Sequence, residues 1–264
     1  MQKILIISGK KQSGKTSLVN FLHGYEMRRA GSIKAFDINN AGQLLVNTFH
    51  VDADGHEVEG VGILDIERKD YDFERYAAQN IWPYIKTYSF ADELKQFLIR
   101  HFGLSWEQCY GTNEQKETKT PFIWSDFVFA LPSPVVGRLK QQKLYTEYMS
   151  AREVMQVFGT DICRRIFESC WSKPTLDRII VEQVPLAIIT DARFISELEI
   201  GKNYGARNIR LARCKFEDTH SSESALNNYG GFDGVINNQE MTMREKNHAA
   251  FAMLQQWGFI QGDI

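Results

Sequence analysis

The chain has 264 residues, enough for one large domain or two small ones, and its 43% hydrophobic and 24% charged residues exclude wholesale disorder. Its 31 basic and 33 acidic residues give a net charge of −2, which excludes a surface that coats a nucleic acid polymer but allows a local anion site. The longest purely aliphatic run, Ile4 to Ile7, cannot span a membrane, and the start of the chain lacks a signal-peptide cleavage pattern; with no Cys-x-x-Cys among Cys109, Cys163, Cys170 and Cys214, a reduced cytoplasmic protein is expected.

Ile4 to Ser8 reads as a buried strand that runs into a glycine. Leu18, Val19, Phe21, Leu22 and Tyr25 recur at helical spacing over 15–29, and Gly31 is placed to stop that helix. Two β-rich runs between Gln43 and Ile66 flank a turn-rich stretch and predict a hairpin. Ser89 to His101 predicts a helix with Ala91, Leu94, Phe97, Leu98 and Phe102 on one face, ended by Gly103. Ser105 with Gln108 can cap a short turn. Residues 111–147 mix polar and aromatic side chains with three prolines and read as loop-rich.

Ser150 and Glu153 match a capping box that opens a helix to about Phe158, and Thr160 or Asp161 can cap the next. Residues 184–190 and 208–213 read as further buried strands, with a short helix from Phe194 to Tyr204 between them. Residues 214–234 are polar and glycine-containing. Thr242 and Glu245 match another capping box, opening a last helix to about Trp257. Strands alternating with helices predict an α/β fold with a central parallel sheet.

Gly9-Lys10-Lys11-Gln12-Ser13-Gly14-Lys15-Thr16 matches G-x-x-x-x-G-K-[ST] in full, after a strand and at the start of a helix. Such a loop turns its N–H groups toward phosphate oxygens, and the helix N-terminus adds positive partial charge. Gly9, Lys11, Ser13, Gly14, Lys15, Thr16 and Ser17 are therefore the expected ATP-binding set. Lys15 is placed to reach the β- and γ-phosphates, and the Thr16 hydroxyl to ligate Mg²⁺. No Asn-Lys-x-Asp for guanine is present, and a small-molecule kinase is favoured over a GTPase or a nucleic-acid motor.

Five segments in order, "SGKKQSGKTS", "YSFADELKQFLIRHFGLSWEQCYG", "SAREVMQVFGTDICRRIF", "ITDARFISELE" and "DTHSSESAL", resemble the phage deoxynucleoside monophosphate kinases, within the nucleoside monophosphate kinase group of P-loop folds. The resemblance covers about residues 1–30 and 85–238 and implies transfer of the ATP γ-phosphate, with Mg²⁺, to a deoxynucleoside monophosphate. It implies one P-loop kinase domain over 1–264. Within it lie a β-hairpin insertion at 32–87, outside the compact family pattern, an acceptor-binding region at 88–172 and a lid at 214–234. The insertion is a candidate base-selectivity element or homodimer surface. A phosphomevalonate- or dephospho-coenzyme A-type kinase, or a regulator that binds ATP without transfer, are the competing readings.

Under that resemblance Arg152 is either a solvated helix arginine or a bidentate clamp on the acceptor phosphate. Gln156, one turn later, is a surface amide or a contact to base or sugar. Asp191 closes a buried strand, where α/β sheets place ligands, and reads as a holder of the Mg²⁺ waters or a helix cap. Arg193 reads as a contact to the transferring phosphate or an ion pair with Glu197. Asp92, Lys95, Lys116 and Trp124 are candidates for the acceptor wall, with a solvated face or plain core as the alternative. Glu223 and His220 fall in the lid, Glu223 as a substrate contact or part of a helix cap, and His220 not as a catalytic base, because a phosphate acceptor arrives ionised. Arg213 is a candidate adenine or phosphate contact, and 235–238 is a candidate source of backbone contacts to adenine.

Overall fold

The structure, a computed structural model, describes residues 2–51, 54–142, 144–213, 226 and 228–264. In chain order it begins β1 (Lys3–Gly9), α1 (Lys15–Arg29), β2 (Phe36–Ile38), β3 (Leu44–Val51), β4 (Glu57–Leu64), α2 (Tyr71–Asn80) and β5 (Ile85–Tyr88). Then come α3 (Phe90–Phe102), α4 (Trp106–Tyr110), α5 (Asn113–Lys116), β6 (Lys119–Ile123), a 3-10 turn (Trp124–Ala130), α6 (Ser133–Gln141), β7 (Tyr148–Ser150) and α7 (Ala151–Gln156). A π-helical segment (Val157–Cys163) leads into α8 (Arg164–Ile166) and α9 (Ser172–Glu182). The chain closes with β8 (Leu186–Ile189), α10 (Ile195–Asn203), β9 (Arg207–Leu211), β10 (Gly234–Ile236) and α11 (Met243–Gln256). Two compact units result: Met1–Tyr88 with Leu176–Ile264, and Ser89–Thr175.

The first unit holds a five-stranded, all-parallel sheet in the order β10-β9-β1-β8-β5. Its central strands are aliphatic because helices cover both faces: Ile4 to Ile7 and all of β8 are buried. β1 lies between β8 and β9, so the crossovers on its two sides leave in opposite directions. The crevice beyond its carboxyl end is where open α/β sheets bind ligands. The parallel α/β core with flanking helices is the expected P-loop kinase fold.

α1 is buried from Ser17 to Met27 on every side, so it carries no amphipathic stripe. Phe21 and Tyr25 meet Phe251 of α11 edge-on, at 6.1 and 4.6 Å between ring centroids. The inserted stretch covers it too: Phe21 meets Phe36 of β2 at 5.8 Å, and Asn20 Nδ2 donates to the Gly42 carbonyl at 2.7 Å. The hairpin predicted between Gln43 and Ile66 forms from β3 and β4, and β2 adds a third antiparallel strand. The stretch 32–87 also supplies all but the last residue of β5, the edge strand beside β8.

The second unit has its own core, built on Leu98, Leu104, Cys109, Phe127, Met149, Val154 and their neighbours. The 111–147 stretch is more regular than expected. β6 pairs antiparallel with β7 and α6 follows the 3-10 turn, its first turn tolerating Pro134, which needs no N–H there. The helix opened by Ser150 and Glu153 continues past Phe158 as a π-helical segment, so neither Thr160 nor Asp161 starts a new helix. Gly159 permits this segment to pass close to α3, where a Cβ would stand 2.6 Å from Leu94 Cδ2.

Candidate active site

The phosphate loop connects β1 to α1 within the first unit. Gly9 is required by close approach: a Cβ there would stand 2.9 Å from the Leu211 carbonyl oxygen of β9. Gln12 and Gly14 take positive φ, +60° and +93°, and the Ser13 N–H closes a turn onto the Lys10 carbonyl at 3.1 Å. Lys15 Nζ donates to the carbonyls of Gly9 and Lys10, at 2.5 and 3.0 Å, holding its charge over the loop. α1 starts without a side-chain cap and with no acid in its first turn, leaving its N-terminal dipole for an anion.

The loop opens onto a pocket of about 500 Å³, lined among others by Lys15, Thr16, Gly42, Arg213, Asn238 and Lys246. Asn238 Nδ2 donates to the Ser13 carbonyl at 2.9 Å and holds the loop from the β10 side. Arg213, just past β9, gives its guanidinium to the carbonyls of Asn238, Gln239 and Met241, so it braces the pocket wall as well as lining it. Lys246 of α11 is buried, with Nζ 2.6 Å from the Gly14 carbonyl oxygen and 2.7 Å from Ser17 Oγ. Burial lowers its pKa to about 7, and Arg213 adds repulsion. Lys11 is exposed and is not among the pocket's lining residues.

Mg²⁺ fits this loop. Among the described residues no cluster of three or more His, Cys, Asp or Glu converges, as a cage of protein ligands would require. Mg²⁺ instead typically takes one or two protein oxygens with water and substrate phosphates. Thr16 lines the pocket, and the buried Ser13 Oγ has no hydrogen-bond partner among the described residues. Asp191 is half-buried two residues beyond β8, whose Ile189 lies in register with Ile6 of β1, so it stands at the carboxyl edge that carries the loop. Arg193 follows on the exposed surface. The buried Glu197 carboxylate accepts the backbone N–H groups of Arg193 and Phe194, at 2.7 and 3.1 Å, and so fixes the start of α10.

The second unit gathers three of the cations singled out in the sequence. Lys116 at the end of α5 has its pKa lowered by burial and then by the like charges of Lys95 and Arg152. Lys95 Nζ sits 4.5 Å from the centroid of the Tyr110 ring, and the Tyr110 hydroxyl donates to the Asp92 carboxylate. Arg152, one residue into α7, donates to Glu117 Oε1 at 2.5 Å and to Asn113 Oδ1 at 2.9 Å. Glu117 already balances the charge of Arg152, and the remaining positive charge of Lys95 and Lys116 favours an anion nearby. Gln156 is exposed at the end of α7, while Trp124 packs against the unit's core. Glu223, His220 and residues 214–225 of the expected lid lie outside the described residues.

Three contributors are not legible in local sequence. The turn Asn40-Ala41-Gly42 of the inserted stretch lines the phosphate pocket, signalled only as an Asn-Asn-Ala-Gly turn. Lys246 reaches the loop across 232 positions, and Tyr110 joins Asp92 and Lys95 only through packing.

The deoxynucleotide monophosphate kinase family model matches residues 3–246. The chain belongs to that family. A protein of Acanthamoeba polyphaga mimivirus named "Putative deoxynucleotide monophosphate kinase" is 29% identical over 166 residues, covering 58% of this chain and 74% of that protein. The family is one of kinases that act on nucleotide monophosphates, and its matched span takes in the phosphate loop, all five strands of the parallel sheet and the cationic cluster of the second unit. Among the described residues no helix is long and apolar enough to cross a membrane.

Proposed function

We propose that the chain transfers the γ-phosphate of ATP to a deoxynucleoside monophosphate, giving the diphosphate and ADP. The observation that carries this reading is the meeting of Lys95, Lys116 and Arg152 in a chain that also has a complete phosphate loop. A nucleoside triphosphatase or an ATP-binding regulator needs only the loop; a phosphate acceptor needs a second anion site.

The loop N–H groups, the α1 N-terminus and Lys15 hold the donor phosphates. Thr16 and Asp191 are the residues that would hold Mg²⁺, which would supply neutralisation of the charge on the donor phosphates. Arg152 presents a planar guanidinium to the acceptor phosphate, and its bonds to Glu117 and Asn113 fix that plane. Lys95 and Lys116 add charge without directional demand. The acceptor oxygen arrives ionised, so no general base is needed, and alignment and charge neutralisation do the work. Arg193 contacts the transferring phosphate. The protein acts in the cytoplasm on a free nucleotide, not on a nucleic acid polymer, and the β2-β3-β4 sheet is a surface available to a second copy.

Calorimetric titration of the protein with a deoxynucleoside monophosphate, with no ATP present, tests the acceptor assignment. Binding is expected in the wild type and a ten- to hundred-fold loss in Arg152→Ala. Equal affinity in the two would contradict it.

A further inference from the structure

We propose that Lys246 is a positioning residue of the phosphate loop, fixing the Gly14–Lys15 peptide and adding a buried cation for the polyphosphate of the donor. The proposal rests on the reading of the loop as the donor site.

The geometry begins at the α11 cap. Thr242 and Glu245 close a reciprocal capping box, which sets the first turn and turns Lys246 inward, where it is 2% exposed. The Gly14 carbonyl receives Lys246 Nζ at 2.6 Å, Ser17 Oγ at 3.1 Å and the Leu18 N–H at 3.2 Å. In a trans peptide the N–H points opposite to the C=O. Holding the Gly14 carbonyl from the α11 side therefore turns the Lys15 N–H away from α11. Glycine at position 14 serves the same contact, because a Cβ would stand 3.0 Å from Lys246 Nζ.

The charge of Lys246 is the second strand of the argument. Among the described residues no carboxylate pairs with it, and Arg213 repels it. Lys15 on α1 is a further cation of the same pocket, while the neighbouring Glu245 carboxylate is bound to Thr242. A cation buried without an anion costs stability. A polyphosphate in the pocket that Lys246 lines is the compensating charge.

The test measures binding of ADP and of inorganic tripolyphosphate to wild type, Lys246→Met, Lys246→Arg and Lys15→Ala, together with the unfolding midpoint of each ligand-free protein. Lys246→Met is expected to weaken both ligands at least ten-fold without lowering the midpoint, and Lys246→Arg to restore most of the affinity. Wild-type affinity in Lys246→Met overturns the proposal. So does a lowered midpoint with weak binding in both Lys246 variants, which marks a purely structural lysine. Tripolyphosphate binding that Lys15→Ala leaves unchanged would instead overturn the donor-site reading itself.

Discussion

Arg213 and Asn238 are bonded to each other twice. The Arg213 backbone N–H donates to Asn238 Oδ1 at 2.8 Å, and Arg213 Nε donates to the Asn238 carbonyl at 2.9 Å. Asn238, 1% exposed, then passes its own Nδ2 to the Ser13 carbonyl, so the ends of β9 and β10 hold the phosphate loop through one amide. Asn238→Ala strips partners from the Ser13 carbonyl and the Arg213 N–H. Each buried group left unpaired costs about 1–3 kcal/mol. Thermal unfolding should show a lower midpoint, and steady-state kinetics a raised KM for ATP with the acceptor KM unchanged.

The acceptor cluster should respond differently. Arg152→Ala removes a charge-assisted contact of about 1.5–3 kcal/mol, so the KM for the monophosphate should rise ten-fold or more while the KM for ATP holds. Lys116→Ala should act in the same direction but less, because an ammonium gives charge without a fork. A rise in the ATP KM alone would remove both residues from the acceptor site.

Arg193 and Glu197 separate by readout. Arg193→Ala should lower kcat by about ten- to a hundred-fold through lost charge stabilisation, with little change in unfolding midpoint. Glu197→Ala should instead lower the midpoint, because the buried carboxylate accepts two N–H groups at the start of α10. An Arg193→Ala variant that loses only stability would make Arg193 a structural residue.

His23 gives the chain an acid-sensitive step. The ring is fully buried in α1, bonded to the Val19 carbonyl at 3.0 Å, and burial lowers its pKa from 6.5 to about 4. Between those values the unfolded chain binds a proton that the folded chain does not. Stability therefore falls as pH drops from about 6.5 to about 4, by about 3 kcal/mol. His23→Leu should flatten that part of the urea-unfolding pH profile. An unchanged profile would show that the ring is not held neutral.

The sequence is most legible where one short stretch decides the structure. The strand–loop–helix opening, the strands β8 and β9 and the capping boxes at Ser105, Ser150 and Thr242 all follow from local patterns, because each bond they make is within a few residues. Edge strands are harder. β5 sits in an aromatic stretch after a proline, and only its two ends are buried. α2 buries only Phe73 and Ala77, too few for a stripe, and α9 exposes Ile180 and Val181. The π-helical run through Gly159 carries no start or stop residue of its own; Trp171 Nε1, donating to the Gly159 carbonyl at 3.0 Å, comes from outside it. In the site, Lys15 and Thr16 are legible from spacing, and Lys95, Lys116 and Arg152 are visible singly. Their meeting, and the reach of Lys246 and of the Gly42 turn to the loop, depend on packing between distant segments.

The central claim is transfer from ATP to a deoxynucleoside monophosphate. The measurement that tests it most directly is ADP release across a panel of deoxy and ribo monophosphates and non-nucleotide phosphate acceptors, with Lys15→Ala as the control. The account predicts release that depends on a deoxynucleoside monophosphate, forms its diphosphate in equal amount and drops at least about a hundred-fold in Lys15→Ala. Release only with a non-nucleotide acceptor, or at one rate whether or not an acceptor is present, would contradict it.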